Sequence, residues 1–139
     1  MQIKKKRSFR LVGLAVAFAL GAPAASYAQE IVIDNANVGI RDTTRSYAGS
    51  WCVANAPGNY GSNSLYSCGG SNDRYRWTFS VPTSGAYEVY VWWPQSSDRS
   101  KSAPYTVYSN AGLSTKTFDQ TSGSGSWVLH GTFNFAARK

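Results

Sequence analysis

The sequence predicts an all-β chain, an antiparallel β-sandwich of jelly-roll-like form, preceded by a signal peptide. Three observations predict it. Short runs of β-branched and aromatic residues recur along the chain, separated by clusters of Gly, Ser, Asn and Pro. No window repeats apolar residues at i, i+3, i+4 and i+7 over three turns, so no amphipathic helix is expected. The N-terminal apolar run is set apart from the rest by a basic head and a small-residue end.

The leader comes first. Lys4, Lys5, Lys6, Arg7 and Arg10 precede an apolar run from Leu11 to Ala22, and Ser26-Tyr27-Ala28 has the small-x-Ala form of a cleavage site. The run is shorter than the roughly 20 apolar residues that a membrane span needs. Residues 1–28 are therefore expected outside the fold. Position 29 is Gln, not Cys, which argues against a lipoprotein. Cleavage after Ala28 would leave 111 of the 139 residues, the size of one domain. It would also remove five of the 14 basic residues, leaving nine against seven acidic ones. The formal charge of +7 thus falls to +2, which gives no reason to expect nucleic acid as a partner. The mature chain is expected to be exported, to the periplasm or the cell exterior, with no membrane span.

The strand-like runs follow in order. Ile31-Val32-Ile33 opens the domain, and a short strand is expected within Tyr47 to Val53. Asn55 to Gly70 reads as a loop, rich in Gly, Ser and Asn. Arg74 to Val81 alternates, placing Tyr75, Trp77 and Phe79 on one face. Pro82 and Gly85 mark a turn into the most telling strand, Tyr87 to Trp93. There Tyr87, Val89, Val91 and Trp93 share the expected core face, and Glu88, Tyr90 and Trp92 the other. Tyr105 to Tyr108, Ser114 to Phe118 and Trp127 to Phe135 complete the set. In the last, Trp127, Leu129, Phe133 and Phe135 are expected inward and His130 outward. Cys52 and Cys68, the only cysteines, are expected to form a disulfide in an exported chain. Closing a loop of that size is worth roughly 3 kcal/mol in the chain-entropy picture.

Catalytic sets are not apparent. His130 is the single histidine, and no Gly-x-Ser-x-Gly or His-Glu-x-x-His pattern occurs. The acidic residues are scattered, with no pair placed by sequence to flank one glycosidic bond. Glu88 is expected to face outward, paired with Lys116. No cofactor is expected; the alternative is a structural calcium ion at Asp34 or Asp42, whose carboxylates suit that ion.

Several segments together resemble the golvesin C-terminal-like domain, also described as the xanthan-lyase carbohydrate-binding-like domain. They are Ile33-Asp34-Asn35, Gly49-Ser50-Trp51, Tyr60-Gly61, Tyr75-Arg76-Trp77, the Gly85 to Trp93 strand, Asp98-Arg99, Ala103-Pro104-Tyr105-Thr106-Val107, Asp119-Gln120 and Trp127-Val128-Leu129-His130-Gly131-Thr132-Phe133. The resemblance runs through most of residues 31 to 135. It implies a galactose-binding-like sandwich, a non-catalytic module with polysaccharide or cell-surface glycan as partner. Family members continue past the strand that ends at Phe135, so the resemblance also implies a C-terminally incomplete sheet.

Sugar rings stack their C–H faces on aromatic side chains, while their hydroxyls need planar polar partners. Tyr90 and Trp92, on the second face of their strand, are the sharpest candidates, with Tyr108 expected beside them. The alternative is that the Asn55 to Gly70 loop buries them. Gln95 and Arg99, just past the double tryptophan, are candidate donors to sugar hydroxyls, or else an ordinary solvated turn. Tyr60 and Tyr66 lie in the disulfide-tied loop, which suits a recognition loop and a stable lid equally. Trp77, Trp93 and Trp127 are expected in the core. The competing function is a structural or protein-interaction module without glycan affinity, its oligomeric state left open.

Overall fold

The protein is described by a computed structural model that covers residues 1–5, 30–35, 44–55, 57–123 and 125–137. The apolar run and cleavage site expected of a leader lie outside the described residues, as does Asp42. Every regular element among the described residues is a strand: β1 (Gln2–Lys5), β2 (Glu30–Val32), β3 (Thr44–Ala48), β4 (Trp51–Ala54), β5 (Ser64–Ser67), β6 (Arg74–Thr78), β7 (Gly85–Val91), β8 (Ala103–Ser109), β9 (Gly112–Phe118) and β10 (Val128–Phe135). All pairings are antiparallel. One sheet has the order β10-β7-β1-β2, and three two-stranded sheets are formed by β3–β6, β4–β5 and β8–β9.

The period-two pattern of β7 builds the core. Tyr87, Val89, Val91 and Trp93 are all buried, Tyr87 completely. Fully burying an aromatic or branched side chain of this kind contributes about 1.5–3 kcal/mol. The Tyr87 hydroxyl is not stranded, because it donates to the Thr83 carbonyl at 2.7 Å across the preceding turn. Ile31, Ile33 and Phe135 join this core from the same sheet. Val107 of β8, with Trp77 of β6 packed alongside, covers it from the facing side. The two-stranded sheet β3–β6 and the hairpin β8–β9 thus supply the second layer of a sandwich. A smaller cluster of Val91, Trp93 and Phe118 continues the core toward the end of β7.

Three sequence expectations are corrected here. The Asn55 to Gly70 segment is not all loop: β5 forms within it and pairs with β4, setting Val53 opposite Leu65. The run from Tyr47 to Val53 is two strands, broken where Gly49 takes a φ of 90°. His130 is inward, not outward. The register of β10 against β7 shifts between Leu129 and Gly131, leaving His130 as the extra residue of a β-bulge. A bulge inverts the facing of everything on one side of it. Phe135 therefore points into the core as expected and Phe133 packs against it, whereas Leu129 is 41% exposed and His130 is 8% exposed. The His130 Nε2 lies 2.9 Å from the Tyr105 carbonyl oxygen, which ties β10 to β8.

In this full chain the first residues also pair. β1 lies between β7 and β2, with Ile3 in register with both Val89 and Ile31.

Candidate functional site

The sequence-nominated aromatics separate into three places. Trp92 meets Tyr60 and Trp127, with ring centroids 5.6 Å and 5.4 Å away, and Tyr60 and Trp127 close the triangle at 5.1 Å. The Trp92 Nε1–H donates to the Gly58 carbonyl at 2.8 Å. The segment before β5 therefore folds against Trp92, and the three rings meet edge-on or tilted, as packed aromatics do. Trp127 belongs to this half-buried cluster and is not one of the buried core residues. Tyr90 is half-buried, and its hydroxyl donates to the Glu88 carboxylate at 2.9 Å, which is the main cause of a raised phenol pKa. Glu88 is thus engaged with Tyr90; the expected Lys116 partner instead donates to the Leu129 carbonyl at 3.0 Å.

Tyr66 and Arg99 are brought together, the guanidinium carbon 4.3 Å from the ring centroid, in cation–π geometry. Gln95 is exposed just beyond Pro94. Tyr108 does not stand beside Tyr90 and Trp92. It sits on the separate β8–β9 hairpin, with the Arg76 guanidinium carbon 5.5 Å from its ring centroid.

The arrangement that sequence reasoning missed lies where β3, β4 and the start of β5 converge. Arg45 and Tyr47 alternate on β3, Trp51 and Val53 alternate on β4, and Asn63 and Leu65 flank the start of β5. With Asn35 they line an open cleft of about 300 Å³. Tyr47 is 62% exposed and stacks nearly parallel on Tyr75, with centroids 5.9 Å apart. The Trp51 ring meets Tyr75 edge-on at 5.3 Å, and its Nε1–H donates to the Ala48 carbonyl. The side-chain amides of Asn35 and Asn63 meet at 2.6 Å. Burial raises the Tyr75 phenol above its ordinary value, while the Arg45 guanidinium nearby works the other way.

Local covalent and polar ties hold these side chains in place. Cys52 and Cys68 are disulfide-bonded, with Cα atoms 5.8 Å apart, as the sequence predicted. The bond fastens β4 to the end of β5, next to the backbone hydrogen bond from Cys68 N–H to the Ser50 carbonyl. The Gly49-Ser50 turn between Tyr47 and Trp51 is clasped by Asp73, which accepts from the Ser50 N–H and the Ser67 hydroxyl. Among the described residues no group of three or more His, Cys, Asp or Glu side chains could hold a metal ion. Nor is there a helix long and apolar enough to cross a membrane.

These strands and ring clusters define the class of the protein, an all-strand antiparallel β-module carrying clustered aromatic side chains. Comparison with known proteins assigns the family. The Golvesin C-terminal domain model matches residues 31–139, and the chain belongs to that family. It is 32% identical over 111 residues to a xanthan lyase from Bacillus sp. (strain GL1), a match that covers 77% of this chain and 11% of the relative. The structure of Paenibacillus xanthan lyase superposes with a TM-score of 0.66 at 29% identity, covering 76% of this chain and 10% of that one. The chain thus spans about a tenth of the length of the enzymes it matches.

Proposed function

We propose that this is an exported, non-catalytic module that binds polysaccharide, and that the cleft between β3 and β4 is its contact surface. One observation carries the choice of surface. Tyr47 and Trp51 stand beside Arg45, Asn35 and Asn63, which is the pairing of aromatic faces with planar polar groups that a sugar requires. The Trp92 cluster serves this less well, because its three half-buried rings pack on one another, whereas Tyr47 is 62% exposed. A relative named for its action on xanthan supports a polysaccharide as the ligand class. A module covering a tenth of such an enzyme would act by holding the polymer while chemistry occurs elsewhere. The disulfide and the Asp73 clasp reduce the ordering cost of binding.

Export fits the same reading. The basic head, apolar run and small-x-Ala end form a leader, and a disulfide is at home in an oxidising compartment.

The test is affinity electrophoresis of the mature chain through gels containing xanthan or other polysaccharides. Retardation that is lost in Tyr47→Ala and kept in Trp92→Ala is the expected result. Equal loss in both, with folding intact, would move the surface to the Trp92 cluster. No retardation by any polysaccharide would reject glycan binding.

A second reading rests on a different observation. Tyr108 and Leu113 are register partners across β8–β9, 62% and 67% exposed. An exposed apolar pair on a hairpin suits docking to protein. Concentration-dependent association that Leu113→Ser abolishes, in a chain that no polysaccharide retards, would establish this reading instead.

A further inference from the structure

β1 occupies an unusual place for a leader segment. It is an interior strand of the main sheet, antiparallel to β7 on one side and to β2 on the other. β2 and β7 therefore run parallel to each other with one strand's width between them. Neighbouring strands lie about 4.8 Å apart, so without β1 the two would stand roughly 10 Å apart, too far to hydrogen-bond directly. Among the described residues β7, which faces this gap, is the most buried strand, with Tyr87 and Val89 in the core, and Ile31 and Ile33 are buried on the other side. Unpaired backbone groups at such a position are costly, and an open edge seeks another strand.

We propose that the slot between β2 and β7 is a strand-acceptor site, which in the processed protein takes an extended segment of a different polypeptide, antiparallel to both flanking strands. This rests on removal of the leader, as read above. The register specifies the guest. A position opposite Ile31 and Val89 meets the core and calls for an apolar side chain. The next position lies between Glu30 and Glu88 and calls for Lys or Arg. The slot must accept further chain at its inner end, where Ile33 exchanges hydrogen bonds with Met1: the Ile33 N–H donates to the Met1 carbonyl at 2.8 Å and the Met1 amine donates to the Ile33 carbonyl. That amine is buried, and burial lowers its pKa from 8.0 to about 5. A strand that runs on through this point, with no charged terminus, fits the slot better than the leader does. Pairing of backbone along an open sheet edge is an established mode of peptide recognition.

The test uses the exported product of the full gene, its N-terminus read by mass spectrometry. The probe is the N-acetylated peptide Met-Gln-Ile-Lys-Lys-Lys, copied from residues 1–6. A chain beginning at Gln29 is expected to bind it saturably, to slow amide exchange across residues 87–91, and to bind the Lys4→Glu peptide at least tenfold more weakly. Should the trimmed chain be unfolded alone, the peptide must restore folding. A trimmed chain that ignores the peptide, or fails to refold with it, overturns the proposal. So does a trimmed chain whose residues 87–91 are already protected in a dimer, since a second copy then fills the slot. Retention of Met1 in the exported protein overturns the leader reading itself, and mass alone distinguishes that result from the others.

Discussion

Asp73 clasps Ser50: its Oδ1 accepts the Ser50 N–H at 3.1 Å while its Oδ2 accepts the Ser67 hydroxyl at 2.6 Å. One carboxylate thereby joins the turn between β3 and β4 to the end of β5. It fits only because Gly49 has no side chain. Gly49 lies at φ 90°, and a Cβ there would run into the Asp73 carboxylate. Gly49→Ala is expected to cost about 1–3 kcal/mol from backbone strain and displacement of the clasp. Thermal unfolding measures the loss. Polysaccharide retention should fall with it, because Tyr47 and Trp51 flank the turn.

Removal of the disulfide tests the same scaffold from its covalent side. Cys52→Ser with Cys68→Ser is expected to lower stability by roughly 3 kcal/mol. Wild-type protein treated with dithiothreitol should show the same shift in denaturation midpoint, and the double variant should be insensitive to the reductant. Binding should weaken further than stability alone explains, because β4 carries Trp51 and Val53 into the cleft.

Trp92→Ala should separate packing from recognition. The substitution opens the aromatic triangle with Tyr60 and Trp127 and leaves the Gly58 carbonyl without its indole donor. Loss of two ring contacts predicts destabilisation of about 1–3 kcal/mol. Amide exchange should quicken around residues 57–63. Tyr47→Ala should do the reverse, with little effect on the melting temperature and a five- to thirtyfold loss of affinity, on the order of 1–2 kcal/mol.

The full chain with Met1 in place should show a pH dependence that a chain beginning at Gln29 lacks. Desolvation lowers the Met1 amine to about 5, and the Asp34 carboxylate opposes it only in part. Above pH 8 the amine is neutral whether β1 is paired or not. Between pH 8 and 5 the unpaired chain takes up a proton that the paired one does not, so stability falls as pH falls through that window. Below about 5 both forms are protonated and the loss is complete, at most about 4 kcal/mol. Amide exchange across residues 87–91, corrected for its intrinsic pH dependence, measures this. N-terminal acetylation should flatten the profile.

Much of this molecule was legible from residue pattern, and the failures have physical causes. The alternation of Tyr87, Val89, Val91 and Trp93 identified the core strand, because a strand buried on one face must alternate. The same logic failed at His130, since a single extra residue in β10 reverses the facing of Leu129 and His130. A bulge is a property of two paired strands, and one strand's sequence does not contain it. The cleft was missed for a related reason. Tyr47 and Trp51 were visible as aromatics, but β5 looked like loop, and the convergence of β3, β4 and β5 depends on the disulfide and on Asp73.

By itself the sequence determined the all-strand class, the disulfide, the main core strand and the family, because each is written in local alternation, cysteine count or ordered motifs. Only the tertiary structure decided which aromatics are packing and which line a surface. Trp92 is held by Gly58 and two neighbouring rings, while Tyr47 lies open beside Trp51 and Arg45. Exposure depends on what the rest of the chain brings against a side chain, and that is set by long-range pairing and not by the residue's own neighbours in sequence.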